Sequence, residues 1–295
     1  MNIAISILFP YLTLAALIIS LFVIRSATLL KVFLALQLVL VFFCGLIEPI
    51  GVLALVLFWG LCEAQSRYPT AHPSANFVRI LLLLIIALAF ANHLIPGFNN
   101  PKVINGLQIS PRSSTYSMYL NFDKSIAAVL LLLASGLVLK STTTFNLKTI
   151  LKTLGLAALA IATLMVLGLS IGYITFDPKF PQIFWLWALN NLLFVCFAEE
   201  VIFRGVIQGY LVNIAQKRNW PIFIPIFISA LLFGTVLLGH AYGGWAYMGL
   251  ATLAGIFYGY AYYLTGRLEA AIAVHFSVNL CHFLLFTYPV SATFY

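Results

Sequence analysis

Charge is what this sequence has least of. Only 7 acidic and 15 basic residues occur among 295, or 7% charged, where an ordinary soluble domain carries about 25%. So little charge cannot cover a water-facing surface, and the soluble globular classes are excluded. A basic stripe with interleaved aromatics is missing as well. The net charge of +8 comes from residues spread along the chain, a distribution that suits an anionic membrane leaflet and not nucleic acid. No CxxC pair is present. Cys44, Cys62, Cys196 and Cys281 each sit inside an apolar run and read as small packing residues.

What fills the chain instead is apolar: 63% of it is hydrophobic. The apolar runs are long enough to span and show no strand-like alternation. Lipid tolerates only helices and closed barrels, so the reading is an all-α, polytopic transmembrane helical bundle of about 8–10 helices. The segments fall near Ile3–Ile24, Ala27–Leu46, Ile50–Cys62, Phe77–Ile95, Ser125–Leu139, Ile150–Ile174, Ile183–Leu211, Trp220–Gly239, Trp245–Leu264 and Glu269–Phe286. The first is too long for a signal peptide and has no basic stretch before it, so it is expected to stay as a helix. The third is short for a span and reads as a tilted or re-entrant piece after the Glu48-Pro49 turn. Residues 96–124 carry the turn signals Asn-Asn-Pro, Asn-Gly and Ser-Pro-Arg-Ser-Ser. They are expected to form an extramembrane loop that divides N-terminal accessory helices (1–95) from a C-terminal catalytic region (125–295). Basic residues in alternate connections (Arg25/Lys31, Arg67/Arg79, Lys140/Lys148/Lys152, Lys217/Arg218, Arg267) place those connections in the cytoplasm and both termini outside. Lys102 and Arg112 in the long loop count against that orientation.

Within this apolar background, Glu199-Glu200-Val-Ile-Phe-Arg204 is the conspicuous interruption. Each charge at mid-bilayer depth costs roughly 2.5–3.5 kcal/mol on insertion scales, and such residues usually serve function. On a helix the i, i+4 spacing lets Glu200 pair with Arg204, while Glu199 is turned about 100° away. One acid is restrained and the other is left for chemistry. Two further polar clusters follow: His240 at the end of the eighth segment, and His275 with Asn279, again i, i+4, in the tenth. A carboxylate, two imidazoles and an amide that converge in a bundle interior make a hydrolytic set, with a base to activate water and donors to hold an oxyanion. Taken singly, the same residues also read as an interhelical ion-pair knot, an interfacial histidine and hydrogen-bonding glue between helices.

Glu-Glu-x-x-x-Arg on one helix, a histidine near the end of a following Phe-Gly-containing helix, and His-x-x-x-Asn on a later one resemble the signature of the CPBP family of intramembrane proteases. That family comprises the membrane relatives of the eukaryotic CAAX prenyl endopeptidase and also includes bacteriocin-immunity proteins. The resemblance covers roughly residues 125–286. Its second motif departs from the pattern: Val236 stands where the family usually has a phenylalanine four positions before the histidine, and Phe233-Gly234 lies further upstream. The resemblance implies that Glu199 acts with His240 to activate the attacking water, that His275 and Asn279 stabilise the oxyanion, and that Glu200 with Arg204 orders the site. Segment ends place His240 toward the outer side, so a bend or re-entrant turn near Gly239 is required to bring it to Glu199.

No cofactor is expected, and the metal-free glutamate mechanism is favoured over zinc held by the two histidines and a glutamate. HExxH is absent, which disfavours a site-2-type zinc protease. Asp123 and Asp177 plot in loops, which disfavours an aspartyl dyad, and Gly168-Leu169-Ser170 is a weak rhomboid-like signal that leaves the charged cluster unexplained. The expected reaction is hydrolysis of a peptide bond in a membrane-anchored or lipid-modified protein or peptide, within a bacterial inner membrane. The competing class is a non-catalytic membrane protein, either an immunity or scaffolding factor or a small-solute transporter, in which the buried charges form a binding site.

Overall fold

The computed structural model describes residues 5–68, 72–135, 146–239 and 244–294. Ten helices form among them: α1 (Ile5–Val23), α2 (Ala27–Phe43), α3 (Pro49–Arg67), α4 (Pro73–Ala91), α5 (Phe122–Ser135), α6 (Leu147–Ser170), α7 (Phe184–Lys217), α8 (Phe223–Leu237), α9 (Gly244–Thr265) and α10 (Leu268–Leu285). A two-stranded sheet, β1 (Lys102–Leu107) with β2 (Tyr116–Tyr119), lies between α4 and α5. α3, α6, α7, α10 and residues Ser74–Ala91 of α4 are long and apolar enough to cross a membrane; α1, α2 and α8 are shorter apolar helices. The chain is a multi-pass integral membrane protein with an all-α architecture.

Local chemistry sets the helix ends. Pro49 and Pro73 open α3 and α4 at positions where no backbone N–H is needed. Ser26 and Asn146 cap α2 and α6 by accepting from the backbone N–H of Leu29 and Thr149. Gly172, at φ +73°, lets the chain turn off α6 through the left-handed region.

Three expectations need correcting. α3 runs for 19 residues, well past Cys62; its last turns carry Glu63, Gln65 and Arg67, whose polarity lowers the hydropathy without ending the helix. Glu63 bridges Lys31 (2.5 Å) and Arg67 (2.9 Å), so these charges hold partners at the end of the span. The polar stretch 96–124 is not a plain loop, because it holds the hairpin and the first turn of α5. Asp123 therefore lies in a helix, with its side chain 1% exposed, and its Oδ2 sits 2.7 Å from Nδ1 of His93.

Contacts group the chain into two compact units. The first comprises residues 1–103, 119–141 and 193–198; the second comprises 104–118, 142–192 and 199–295. In the first unit, α5 packs on α3 and α4, although its hydropathy segment was assigned with the C-terminal helices. Tyr11 of α1 donates to the Leu120 carbonyl (2.7 Å), and Gln37 of α2 donates to the carbonyl of Pro10 (2.9 Å). In the second unit, α8 lies along α9, and both α9 and α10 pack on α6. The C-terminal tail returns along the connection after α6: Thr287 N–H donates to Thr175 O (2.9 Å) and Ser291 N–H to Tyr173 O (2.9 Å). Lys179 in that connection donates to the Phe286 carbonyl, and burial pulls its ammonium below the usual lysine pKa while Asp177 opposes the shift.

α8 and α9 approach closely because Gly234 has no side chain. A Cβ there would meet Thr252 Oγ1 at 2.1 Å and the Met248 carbonyl oxygen at 2.6 Å. Gly234→Ala is expected to cost about 1–3 kcal/mol through overpacking, read as a lower unfolding temperature in detergent. Gly60→Ala, whose Cβ meets nothing within 4 Å, should leave that temperature unchanged or raise it.

Candidate active site

α7 is wound irregularly where its polar residues lie. Asn191–Cys196 and Val201–Gln208 are π-helical, with Phe197–Glu200 an α-helical turn between them. Wide turns of this kind inside α-helices are frequent at functional sites. Two thirds of the most apolar window of α7 is buried, 67% against 17% for α4, so its polar side chains meet protein and not lipid.

The i, i+4 pair forms as the spacing predicts: Arg204 Nη1 donates to Glu200 Oε1 at 3.1 Å, and both side chains are fully buried. The guanidinium also donates from Nη2 to the Gly255 carbonyl (3.1 Å). One turn on, Gln208 Nε2 donates to the Gly259 carbonyl (2.9 Å). The two donors are four residues apart and so are the two acceptors, so α7 and α9 are joined by a two-rung polar ladder. Gly255 makes room for it, since a Cβ there would stand 2.9 Å from Arg204 Nη2 and 3.1 Å from Ala230. The rings of Phe233, Tyr258 and Phe203 surround the cation at 4.7, 5.2 and 5.9 Å, which offsets part of its desolvation.

Glu200 has a second partner that sequence spacing did not disclose. His275 Nδ1 lies 2.8 Å from the same Oε1. An ionised carboxylate only accepts, so against the Arg204 charge Nδ1 carries the hydrogen and the ring orientation is fixed. Tyr258 stacks on that ring (4.4 Å, 15°) and Phe233 meets it edge-on (5.9 Å, 79°). The opposite nitrogen, Nε2, is thereby directed at Glu199, with its Oε2 3.9 Å away. Glu199 is 8% exposed and His275 4%. Tyr247, stacked on Tyr173 (6.1 Å, 6°), lies within electrostatic reach of the Glu199 carboxylate. Asn279, one turn beyond His275, donates from Nδ2 to Asn191 Oδ1 at 3.1 Å.

Glu199, Glu200, Arg204 and His275 are thus gathered in one network, with Asn279 one turn away. His240, assigned with Glu199 to activate water, lies outside the described residues; α8 ends at Leu237, just before it. Residues without a motif complete the surroundings: Asn191, Gln208, Tyr258 and Gly255. The available signals were the carboxamides Asn190-Asn191 and Gln208 in an apolar run and the Gly255-x-x-x-Gly259 spacing of a close-packed membrane helix. Ser170, the rhomboid-like candidate, is exposed at the end of α6 and donates to Leu167 O (2.8 Å).

Residues 181–281 match the family model described as type II CAAX prenyl endopeptidase Rce1-like. The matched segment contains all three motifs and bears out the resemblance; it is narrower than the span of 125–286 that the motifs suggested. Neither the curated proteins nor the solved structures gave a match.

The Glu200–Arg204 pair is the strongest test of this geometry. Removing one partner of a fully buried pair costs about 3–5 kcal/mol, so Arg204→Met and Glu200→Gln should each lower the unfolding temperature in detergent sharply. The double variant should lose much less than the sum of the two, because no uncompensated charge remains.

Proposed function

We propose that the chain cleaves a peptide bond of a membrane-anchored or lipid-modified protein with water activated at Glu199; the match of residues 181–281 to the Rce1-like type II CAAX prenyl endopeptidase model supports this reading. The observation that carries this reading is the 3.9 Å separation of Glu199 Oε2 from His275 Nε2. A water at about 2.8 Å from each fits between atoms so spaced, and the Glu200 carboxylate holds the imidazole in the tautomer that serves it.

In this mechanism Glu199 is the general base, and it takes the proton as the water oxygen attacks the scissile carbonyl. His240, from the start of the chain between α8 and α9, is its partner. Asn279 supplies a hydrogen bond to the developing oxyanion. His275, expected to share that task, gives its one N–H to Glu200 and presents a bare Nε2, so it orients the attacking water by accepting from it. The proton taken by Glu199 passes to the leaving amine. Glu200 and Arg204 touch no substrate; they order the imidazole. An acid spent on a counter-ion beside an acid kept for chemistry accounts for both carboxylates in one stroke, which a knot of ion pairs alone does not. We carry the metal-free glutamate mechanism forward, with Glu199 as the base and no residue assigned to a metal.

On a quenched fluorescent peptide bearing a farnesylated CAAX terminus, Glu199→Gln should reduce kcat by about 10²–10⁴-fold, the range of a general base, with an unchanged unfolding temperature. Wild-type turnover by that variant would remove Glu199 from the base role. A millimolar metal chelator should leave the wild-type rate intact; a loss restored by added zinc would replace the metal-free mechanism with a metal-dependent one.

A further inference from the structure

The two helices that carry the reacting groups are tied together at two levels. At the deeper one, His275 of α10 meets Glu200 (2.8 Å) and faces Glu199. At the other, Asn279 of α10 meets Asn191 of α7 through Nδ2 and Oδ1 (3.1 Å). As the α10 number rises the α7 number falls, so the two segments run antiparallel and the second tie lies beside the first. Asn191 is 7% exposed, and it begins the π-helical turn Asn191–Cys196 that precedes Glu199.

A carboxamide has two ends of nearly equal shape and opposite character. One end donates, the other accepts, and a half-turn of the plane exchanges them. An amide that serves an oxyanion must present its nitrogen; the oxygen end would repel the developing charge. Sequence places Asn279 on the same helix face as His275, but that placement does not by itself decide which end points where. In the structure Asn191 presents its carbonyl, and with Asn191 so placed only the NH2 end of Asn279 satisfies that acceptor. Fixing one N–H fixes the plane and therefore the direction of the other.

We propose that Asn191 is a positioning residue for the hydrolysis, selecting the orientation of the Asn279 carboxamide in which nitrogen faces the α7 side where Glu199 lies. This rests on the proteolytic reading above, in which Asn279 is an oxyanion donor. In this role Asn191 acts through Asn279, and this distinguishes it from a residue that merely fills space between helices.

The test is a double-mutant cycle on the full-length chain in detergent, with kcat and KM measured on the farnesylated CAAX peptide. Asn279→Ala should lower kcat by about 10²–10³-fold. Asn191→Ala should lower it at least about tenfold, as misplacement of a reacting group does, with KM within about threefold of wild type. In the Asn279→Ala background, Asn191→Ala should cost nothing more. Asn191→Asp keeps an acceptor and loses the donor; it should stay within about threefold of wild type. Additive losses in the cycle, full kcat in Asn191→Ala, or an Asn191→Asp variant as impaired as the alanine would each overturn the proposal while leaving the parent reading standing. Wild-type kcat in Asn279→Ala, or no turnover by the unaltered chain, would overturn the parent reading and this one with it. If Asn191→Ala does not fold, as judged by size-exclusion and thermal unfolding, Asn191→Asp alone decides: near-wild-type kcat supports the proposal and a tenfold loss ends it.

Discussion

The fully buried ion pair between Glu200 and Arg204 is the constraint on which the site depends. In a chain with so few charges, a guanidinium in the bilayer interior is tolerable only if its counter-ion and hydrogen bonds come with it. Glu200 supplies the charge, the Gly255 carbonyl accepts a second bond, and three aromatic rings take up the faces. The same carboxylate oxygen then reaches across to His275. One acidic side chain therefore neutralises a cation, joins α7 to α10 and sets a histidine tautomer. Its neighbour Glu199 is spared these tasks, and its carboxyl faces the other ring nitrogen.

Close backbone approach makes this economy possible. Gly255 and Gly259 bring α9 near enough for Arg204 and Gln208 to hydrogen-bond its carbonyls directly. Gly234 lets α8 settle against α9, and with it Phe233, whose ring serves the arginine and the histidine at once. The widened turns on both sides of Phe197–Glu200 shift the register of α7 around the two acids. Rigid groups placed by glycine contacts and buried charges are the kind of support a hydrolytic site needs, since small displacements of reacting groups are expensive in rate.

Much of this was legible in the chain itself. Hydropathy located the ten helices of the described residues, because lipid demands long apolar segments, and the i, i+4 rule pairs Glu200 with Arg204 from spacing alone. Hydropathy misjudged α3 because Glu63, Gln65 and Arg67 are polar yet helical, and it left Asp123 in a loop because a buried carboxylate is readable only once His93 is seen beside it. The bonds from Glu200 to His275 and from Asn279 to Asn191 join residues 75 and 88 apart. Periodicity within a helix carries no information on such pairs. π-helical winding likewise follows from tertiary packing and not from local propensity.

The central claim is the proposed role of Glu199, beside its neighbour's ion pair, as the base of an endopeptidase. Mass spectrometry of membrane proteins from cells expressing the wild-type chain or Glu199→Gln at equal levels tests it most directly. The account predicts at least one membrane protein that is shortened with the wild type and full-length with the variant. Identical fragment inventories in the two membranes would contradict it.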